Sequence, residues 1–327
     1  MNNKINILYT CDNAFLSLTS ISIASVIYNN PESYITFYIA TENKDSDNYR
    51  KLVDFYKNNK KIEFKYLDCK KYDYLLEEKG LDRWGSNSYY VYWKLFAYDL
   101  INEKNIWYLD SDIICTSKIE NPIIENPIGS VLDSAHACFN ELAHIPNNYY
   151  LFNTGSLYVD INKWKKNECT KKIVDYINHI KYKPLLCDQD ILAISLQDYI
   201  EVIDPKYNYL IGYDYYGVHN SFEMYSLNRK PFYTEKEIEE AKDNVIFYHC
   251  LGGVFGRPWE IDNESPIKEE FEKYRNSSMC PNYQKERNTS IIFKLEKIFE
   301  ILPKHIYNKV HNYSIKRYLK RLARQYN

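Results

Sequence analysis

The sequence predicts an α/β fold with a doubly wound, mixed, Rossmann-like sheet. Strand and helix patterns alternate at the βαβ interval along the first third of the chain, and its apolar strands end abruptly in polar side chains. A chain of 327 residues can also bury a full core. Ile5 to Thr10 reads as the first strand, followed by Asp12-Asn13 and an apolar-serine helical pattern through Val26. Tyr34 to Ala40 is the second strand, Ser46 to Lys57 a helix capped by Ser46 or Asp45, and Ile62 to Leu67 the third strand. No Gly-x-Gly-x-x-Gly follows the first strand, so the usual dinucleotide fingerprint is absent and an aspartate stands there instead. Tyr90 to Leu100 reads as one helix beside the strand Ile106 to Leu109, whose apolar character fits burial on both faces in a parallel sheet. Gly129 to Asp133 is another strand. Asn153-Thr-Gly-Ser156 opens a run through Asp160, and Trp164 and Cys169 to Ile180 carry helical spacing. Cys187-Asp188-Gln189-Asp190 starts a helix to Leu196, its carboxylates where the helix dipole favours them. Val245 to Tyr248 is a late strand ending in His249. After Pro266 come a short helix, a polar break through Cys280-Pro281 and two terminal helices. The spans 133 to 150 and 212 to 232 read as loops.

Composition narrows the function. Net charge is −2 from 42 basic and 44 acidic residues, which argues against a nucleic-acid binder acting through bulk charge. No apolar run reaches membrane-spanning length, and the first residues read as a strand, not a signal peptide. The eight cysteines show no Cys-x-x-Cys spacing, so they are read as reduced thiols of a cytoplasmic protein.

Chemistry concentrates at Asn105-Ile-Trp-Tyr-Leu-Asp110-Ser-Asp112-Ile-Ile-Cys115. A buried strand delivers Asp110 and Asp112 at its carboxyl end, where open α/β sheets bind ligands. Two hard oxygen ligands there suit Mg²⁺ or Mn²⁺ and, with it, a diphosphate. Taken alone, the pair also fits an ordinary turn. His249 opens His-Cys-Leu-Gly-Gly-Val-Phe-Gly-Arg-Pro-Trp259. Glycines let main-chain N–H groups approach phosphate oxygens, and Arg257 adds a fork of donors. With Asp110 and Asp112, His249 would complete a metal site whose nitrogen favours Mn²⁺ over Mg²⁺. Lys94 sits in the apolar stretch Tyr92 to Ala97, so it needs a counter-ion, either phosphate or carboxylate. Asp12 with Asn13 fits an Asx turn, and Asn153 and Asp188 fit backbone caps as well as hydroxyl binders.

Together these segments resemble glycosyltransferase family 8, the group containing bacterial lipopolysaccharide galactosyltransferases and glycogenin. The resemblance runs from about residue 5 to 260. It rests on Leu8-Tyr-Thr-Cys-Asp12, Tyr92-Trp-Lys-Leu95, Trp107 to Asp112, Phe152-Asn-Thr-Gly155 with Val159 to Trp164, Asp188-Gln-Asp190, and His249 to Trp259, in that order. It implies a GT-A fold, a UDP-sugar donor, Mn²⁺ and retention of anomeric configuration. By position it assigns Asp110, Asp112 and His249 to Mn²⁺, Asp12 and Phe15 to the uracil, and Gly252 and Arg257 to the diphosphate, with Ser111 and Lys94 also counted among the cofactor-binding residues. Asn153, Asp188 and Gln189 would hold the donor sugar, with Gln189 on the face where a nucleophile would be sought. This chain has lysine at 94 and arginine at 257, where the family usually has the reverse, so both cations survive with altered geometry. Its His249-to-Trp259 segment is also two residues longer than the common bacterial form, which shifts the alignment of Gly253 and Gly256.

The expected organisation is a catalytic domain over 1–265 and a helical C-terminal extension over 266–327. From Lys304 to Arg324 the extension carries Lys and Arg and no acidic residue, interleaved with Tyr307, Val310, Ile315, Leu319 and Leu322. Such an arm fits peripheral attachment to an anionic membrane, at the inner face for a cytoplasmic enzyme, with a glycan or lipid-linked glycan as acceptor. Two other classes compete. A nucleotidyltransferase also uses paired carboxylates on a parallel sheet but gives no reason for the His249 loop. A non-catalytic sugar-nucleotide or glycan-binding protein would be expected to have lost Asp110, Asp112 or His249.

Overall fold

A mixed seven-stranded sheet carries the fold among the described residues, which are 4–81, 88–134, 144–146, 148–229, 231–286 and 297–326 of a computed structural model. Its strands are β1 (Lys4–Thr10), β2 (Tyr34–Ala40), β3 (Ile62–Leu67), β4 (Asn105–Leu109), β6 (Ile128–Leu132), β7 (Phe152–Asp160) and β8 (Ile200–Val202), in the order β3-β2-β1-β4-β7-β6-β8. The first four pair in parallel, as βαβ units require, and β7 then runs antiparallel to both β4 and β6. A second sheet of three strands, β5 (Ile113–Cys115), β10 (Phe247–His249) and β9 (Tyr209–Leu210), lies in the order β5-β10-β9.

Two devices fix the small sheet against the large one. Helix α1 (Leu16–Asn29) is buried from Leu18 through Val26, and its serines satisfy themselves: Ser20 donates to Ser17 O and Ser25 to Ser22 O. The Ser25 oxygen in turn accepts the Cys115 N–H at 2.9 Å, tying β5 to α1. The second device is Trp107 of β4, whose ring packs on Tyr158, Tyr207 and Phe247. Burying an indole removes roughly 200 Å² from water, about 5 kcal/mol of gross hydrophobic stabilisation. That contact sets the distance between the end of β4 and the end of β10, and so between Asp110 and His249.

Four expectations are corrected. Tyr90 to Leu100 is not one helix: the helix covers Tyr90–Trp93, Lys94 stands at its C-cap, and a 3₁₀ turn spans Ala97–Leu100. Tyr92, Trp93, Leu95, Phe96, Ala97 and Tyr98 are all buried, so there is no solvent face to maintain a helical period. The β4 strand is parallel to β1 on one side only, being antiparallel to β7 on the other. Residues 212–225 are helical, over Gly212–Tyr216 and Val218–Tyr225, and break at Gly217 with φ +86. A run of tyrosines masked the buried Val218 and Phe222 spacing. Finally, β5, β8 and β9 are too short to leave a period in sequence. Most of 133–150, and the first of the two terminal helices in its larger part, fall outside the described residues.

Thiols that the structure describes are free, and all but Cys280 are buried. No described helix is long and apolar enough to cross a membrane. The helix Lys304–Tyr326 docks its first turns on Val218–Tyr225: Asn308 Nδ2 donates to Glu223 Oε2 at 2.9 Å and Asn312 Nδ2 to Met224 O at 2.6 Å. His311 lies among the rings of Tyr216, Tyr225 and Tyr307, with no partner on Nε2. Burial there lowers its pKa from 6.5 to about 4. An unfolded or undocked His311 therefore takes up a proton first, so docking stability is intact above pH 6.5 and declines as pH falls toward 4. Hydrogen-exchange protection of 304–314, measured relative to the intrinsic rate at each pH, is expected to fall across that window in the wild type and to lose most of this dependence in His311→Phe.

Candidate active site

The site is assembled at the carboxyl ends of β4 and β1, where β7 bulges. Pairing between β6 and β7 jumps from Ser130↔Leu157 to Val131↔Asn153, leaving Thr154, Gly155 and Ser156 without β6 partners. The bulge turns its backbone to β4's end, where Asp110 N–H donates to Gly155 O at 2.7 Å. Asp110, Asp112 and His249 then converge, each offering a ligand atom within 4.8 Å of the others. The Cys250 N–H donates to the Asp112 carbonyl at 2.9 Å and holds the β10 end against this turn.

His249 Nε2 lies 3.4 Å from Asp112 Oδ1, and its Nδ1 is 3.0 Å from Asn208 Oδ1. With Nδ1–H donating to Asn208, a metal displacing the proton on Nε2 would find that lone pair facing the carboxylates. Asn208 Nδ2 donates to Asn153 Oδ1 at 2.8 Å, and Asn153 Nδ2 donates to Asp133 Oδ2 at 2.8 Å. The imidazole is thus held by a relay of buried amides. Gly155 permits it: a Cβ there would stand 2.3 Å from His249 Cε1 and 2.7 Å from Nδ1. Two carboxylates and an oriented imidazole fit a hard or borderline divalent cation such as Mn²⁺ or Mg²⁺. Asn208→Ala is expected to weaken Mn²⁺ binding about 10–100-fold, read by Mn²⁺ titration, with the far-ultraviolet circular dichroism unchanged.

Burial would raise the Asp112 carboxyl, but His249 and Arg257 outweigh it and hold the group well below the usual carboxylate range. Arg257 Nη1 stands 3.3 Å from Asp112 Oδ2 and its guanidinium lies over Trp259. Gly252 lies under the Arg257 side chain, where a Cβ would come 3.1 Å from Nε. The loop at 252–257 therefore presents a cation beside the carboxylate pair.

Lys94, 1 % exposed, is the hinge of the interior. Its Nζ is 3.0 Å from Asp110 Oδ1, 3.1 Å from Asp188 Oδ2 and 3.3 Å from Thr154 O, over the Tyr108 ring. Burial works against this ammonium, yet the two carboxylates more than offset it and it stays protonated. Asp188 is pushed up by burial and has only a share of that charge, with a further bond from the Thr154 hydroxyl at 2.5 Å. Tyr108 also donates to Asp110. Gln189 Nε2 reaches Asp133 Oδ2 at 3.3 Å, so Asp133, Asn153, Asp188 and Gln189 form one wall. Cys187, just ahead of them, has φ 56 and ψ −114, a strained backbone that starts the helix Asp188–Ser195 at this wall.

Three nominated residues lie at the start of α1. Asp12 Oδ1 accepts the Phe15 N–H at 2.7 Å, in the turn that leads into the helix. The Ser111 hydroxyl bonds Thr19 of α1 at 2.8 Å. Phe15 is half-buried beside them, under the Lys285 ammonium at 4.8 Å. Asn208, Asp133, Thr154 and Tyr108 were missed. Asp133 had a usable signal, an acid ending a predicted strand as Asp110 does; Asn208 had none.

The chain is similar to known proteins over most of its length. Lipopolysaccharide 1,3-galactosyltransferase of Salmonella typhimurium is 25 % identical over 84 % of this chain and 79 % of its own. Lipopolysaccharide glucosyltransferase WaaO of Escherichia coli is 27 % identical over 85 % of this chain and 79 % of its own. In fold, the chain is similar to the galactosyltransferase LgtC solved with donor and acceptor sugar analogues, with TM-score 0.63, 17 % identity, and coverage of 84 % of this chain and 96 % of that one. The profile of glycosyl transferase family 8 matches residues 6–261, and the chain belongs to that family.

Proposed function

We propose that this protein is a Mn²⁺-dependent retaining glycosyltransferase that moves a hexose, galactose or glucose, from a UDP-sugar to a hydroxyl of a cell-surface glycan such as lipopolysaccharide or capsule. The observation that carries the reading is the convergence of Asp110, Asp112 and His249 beside Arg257 in a family 8 chain. The relatives' galactosyl and glucosyl activities support the donor class. When bound, the cation supplies charge neutralisation to the departing diphosphate. Arg257 and the Gly252 backbone add donors to the same leaving group, where the largest electrostatic need arises. Asn153, Asp188 and Gln189 orient the sugar, and Asp12 and Phe15 meet the uracil. Neither carboxylate of this wall stands free as a nucleophile among the described residues: Asp188 is held by Lys94 and Thr154, and Asp133 by Asn153 and Gln189. Front-face attack, with a diphosphate oxygen taking the acceptor proton, follows as the favoured route.

Melting curves with UDP-galactose and UDP-glucose, with and without Mn²⁺, test the reading. Stabilisation by a UDP-sugar only with Mn²⁺ supports it, and stabilisation by CTP or dTTP instead would count for nucleotidyl transfer. The division into a catalytic domain over 1–265 and an extension over 266–327, and residence in the cytoplasm, belong to the same proposal. So does membrane attachment through the basic arm 303–327, where Ile306 and Tyr313 are exposed. Reversing Lys320 and Arg321 to glutamate is expected to lower the affinity for anionic vesicles by about 30-fold or more in cosedimentation, at roughly 1 kcal/mol per cation lost, and leave donor hydrolysis unchanged.

A further inference from the structure

The family match ends at residue 261, yet the chain beyond it returns to the nucleotide end of the site. After the helix Lys268–Asn276, residues 280–286 double back against the 257–261 loop. Lys285 N–H donates to Trp259 O at 3.0 Å and Lys285 O accepts the Ile261 N–H at 3.1 Å, a parallel bridge opposite Glu260. That register leaves the Lys285 side chain over the Phe15 ring, 4.8 Å from its centroid, and 5.7 Å from that of Tyr283. Its backbone is bonded to the tryptophan on which Arg257 lies. Lys285 therefore stands between the base end of the site, at Phe15, and the phosphate end, at Arg257.

Two features mark this strap as unfinished without a ligand. The Lys285 ammonium, on an exposed residue, makes no ion pair among the described residues and lies over the rings of Phe15 and Tyr283. The Tyr283 hydroxyl is buried without a hydrogen-bond partner, a costly state unless something else supplies one. Burial pushes that phenol up to about 12, and it feels both Arg257 and Asp12, so it lies near both ends of the site. An unpaired ammonium and an unpaired hydroxyl on one strap are complementary to an anion carrying several acceptor oxygens.

We propose that Lys285, presented by the strap 280–286, is a ligand to the diphosphate of the nucleotide donor, with Tyr283 beside it. This rests on the reading of the site as a UDP-sugar site. It extends the donor pocket into a segment outside the family's common core.

Titration of the full-length protein with UDP and with uridine, at saturating Mn²⁺, tests it. Lys285→Ala is expected to raise Kd for UDP about tenfold while Kd for uridine stays within twofold, and Lys285→Arg to restore UDP binding to within threefold of wild type. Added salt should weaken UDP binding less in Lys285→Ala than in the wild type. Because the residue is exposed, the melting temperature of the variants serves as a folding control. UDP binding unchanged in Lys285→Ala, or an equal loss for uridine, overturns the proposal. Failure of the wild-type protein itself to bind UDP would sink the reading of the whole site, and this assignment with it.

Discussion

Asp112→Asn is expected to lower kcat/KM by ~10³-fold or more, about 4 kcal/mol of transition-state stabilisation. The substitution keeps the side-chain shape and removes one charge. That charge faces His249 at 3.4 Å and Arg257 at 3.3 Å, so its loss strips the cation site of a hard ligand and leaves two bases and a guanidinium around a neutral amide. The change touches the fold little, because the Asp112 carbonyl still accepts from Cys250 N–H. Transfer from a UDP-sugar should be measured across a Mn²⁺ titration. Activity within tenfold of wild type at all Mn²⁺ concentrations would remove Asp112 from the metal centre.

The second large effect comes from a residue with no side chain. Gly155→Ala places a methyl group 2.3 Å from His249 Cε1, 2.7 Å from Nδ1 and 3.0 Å from Asn153 Oδ1. None of these is the loose end of a flexible chain. His249 is pinned by Asn208 and Asn153 by Asp133, so one of the two amide contacts must break. Mn²⁺ affinity is expected to fall ~10²-fold, and stability by ~1–3 kcal/mol from overpacking. Free Mn²⁺ followed by electron paramagnetic resonance, alongside urea unfolding, separates the two losses. An alanine variant that binds Mn²⁺ normally would show that the imidazole does not serve the metal.

Much of the fold was legible because its signals are local. The first two strands and the strand ending at Asp110 show a buried run closed by polar residues, the third alternates, Ser46 caps its helix, and the observed bounds differ by a residue or so. The same rule found Asp110, Asp112 and His249 as strand-end side chains, and they do meet. It could have found Asp133. What stayed hidden is set by tertiary contact. The Asn208 amide holds His249 across 41 positions of sequence, and nothing around Tyr207-Asn-Tyr209 announces it. Gly155 looks like any strand glycine until the β7 bulge brings His249 against it. Lys94 was expected to need one counter-ion and has two.

That double contact has a thermodynamic consequence. One ammonium is divided between Asp110, on the cation side, and Asp188, on the wall read as the sugar side. Any new positive charge at Asp110 alters how much of Lys94 remains for Asp188, so occupancy of the two halves is energetically linked. Linkage of this kind is symmetric: the factor by which the cation changes affinity for the hexose must equal the factor by which the hexose changes affinity for the cation. The lysine shared between the two carboxylates sets the size of that common factor.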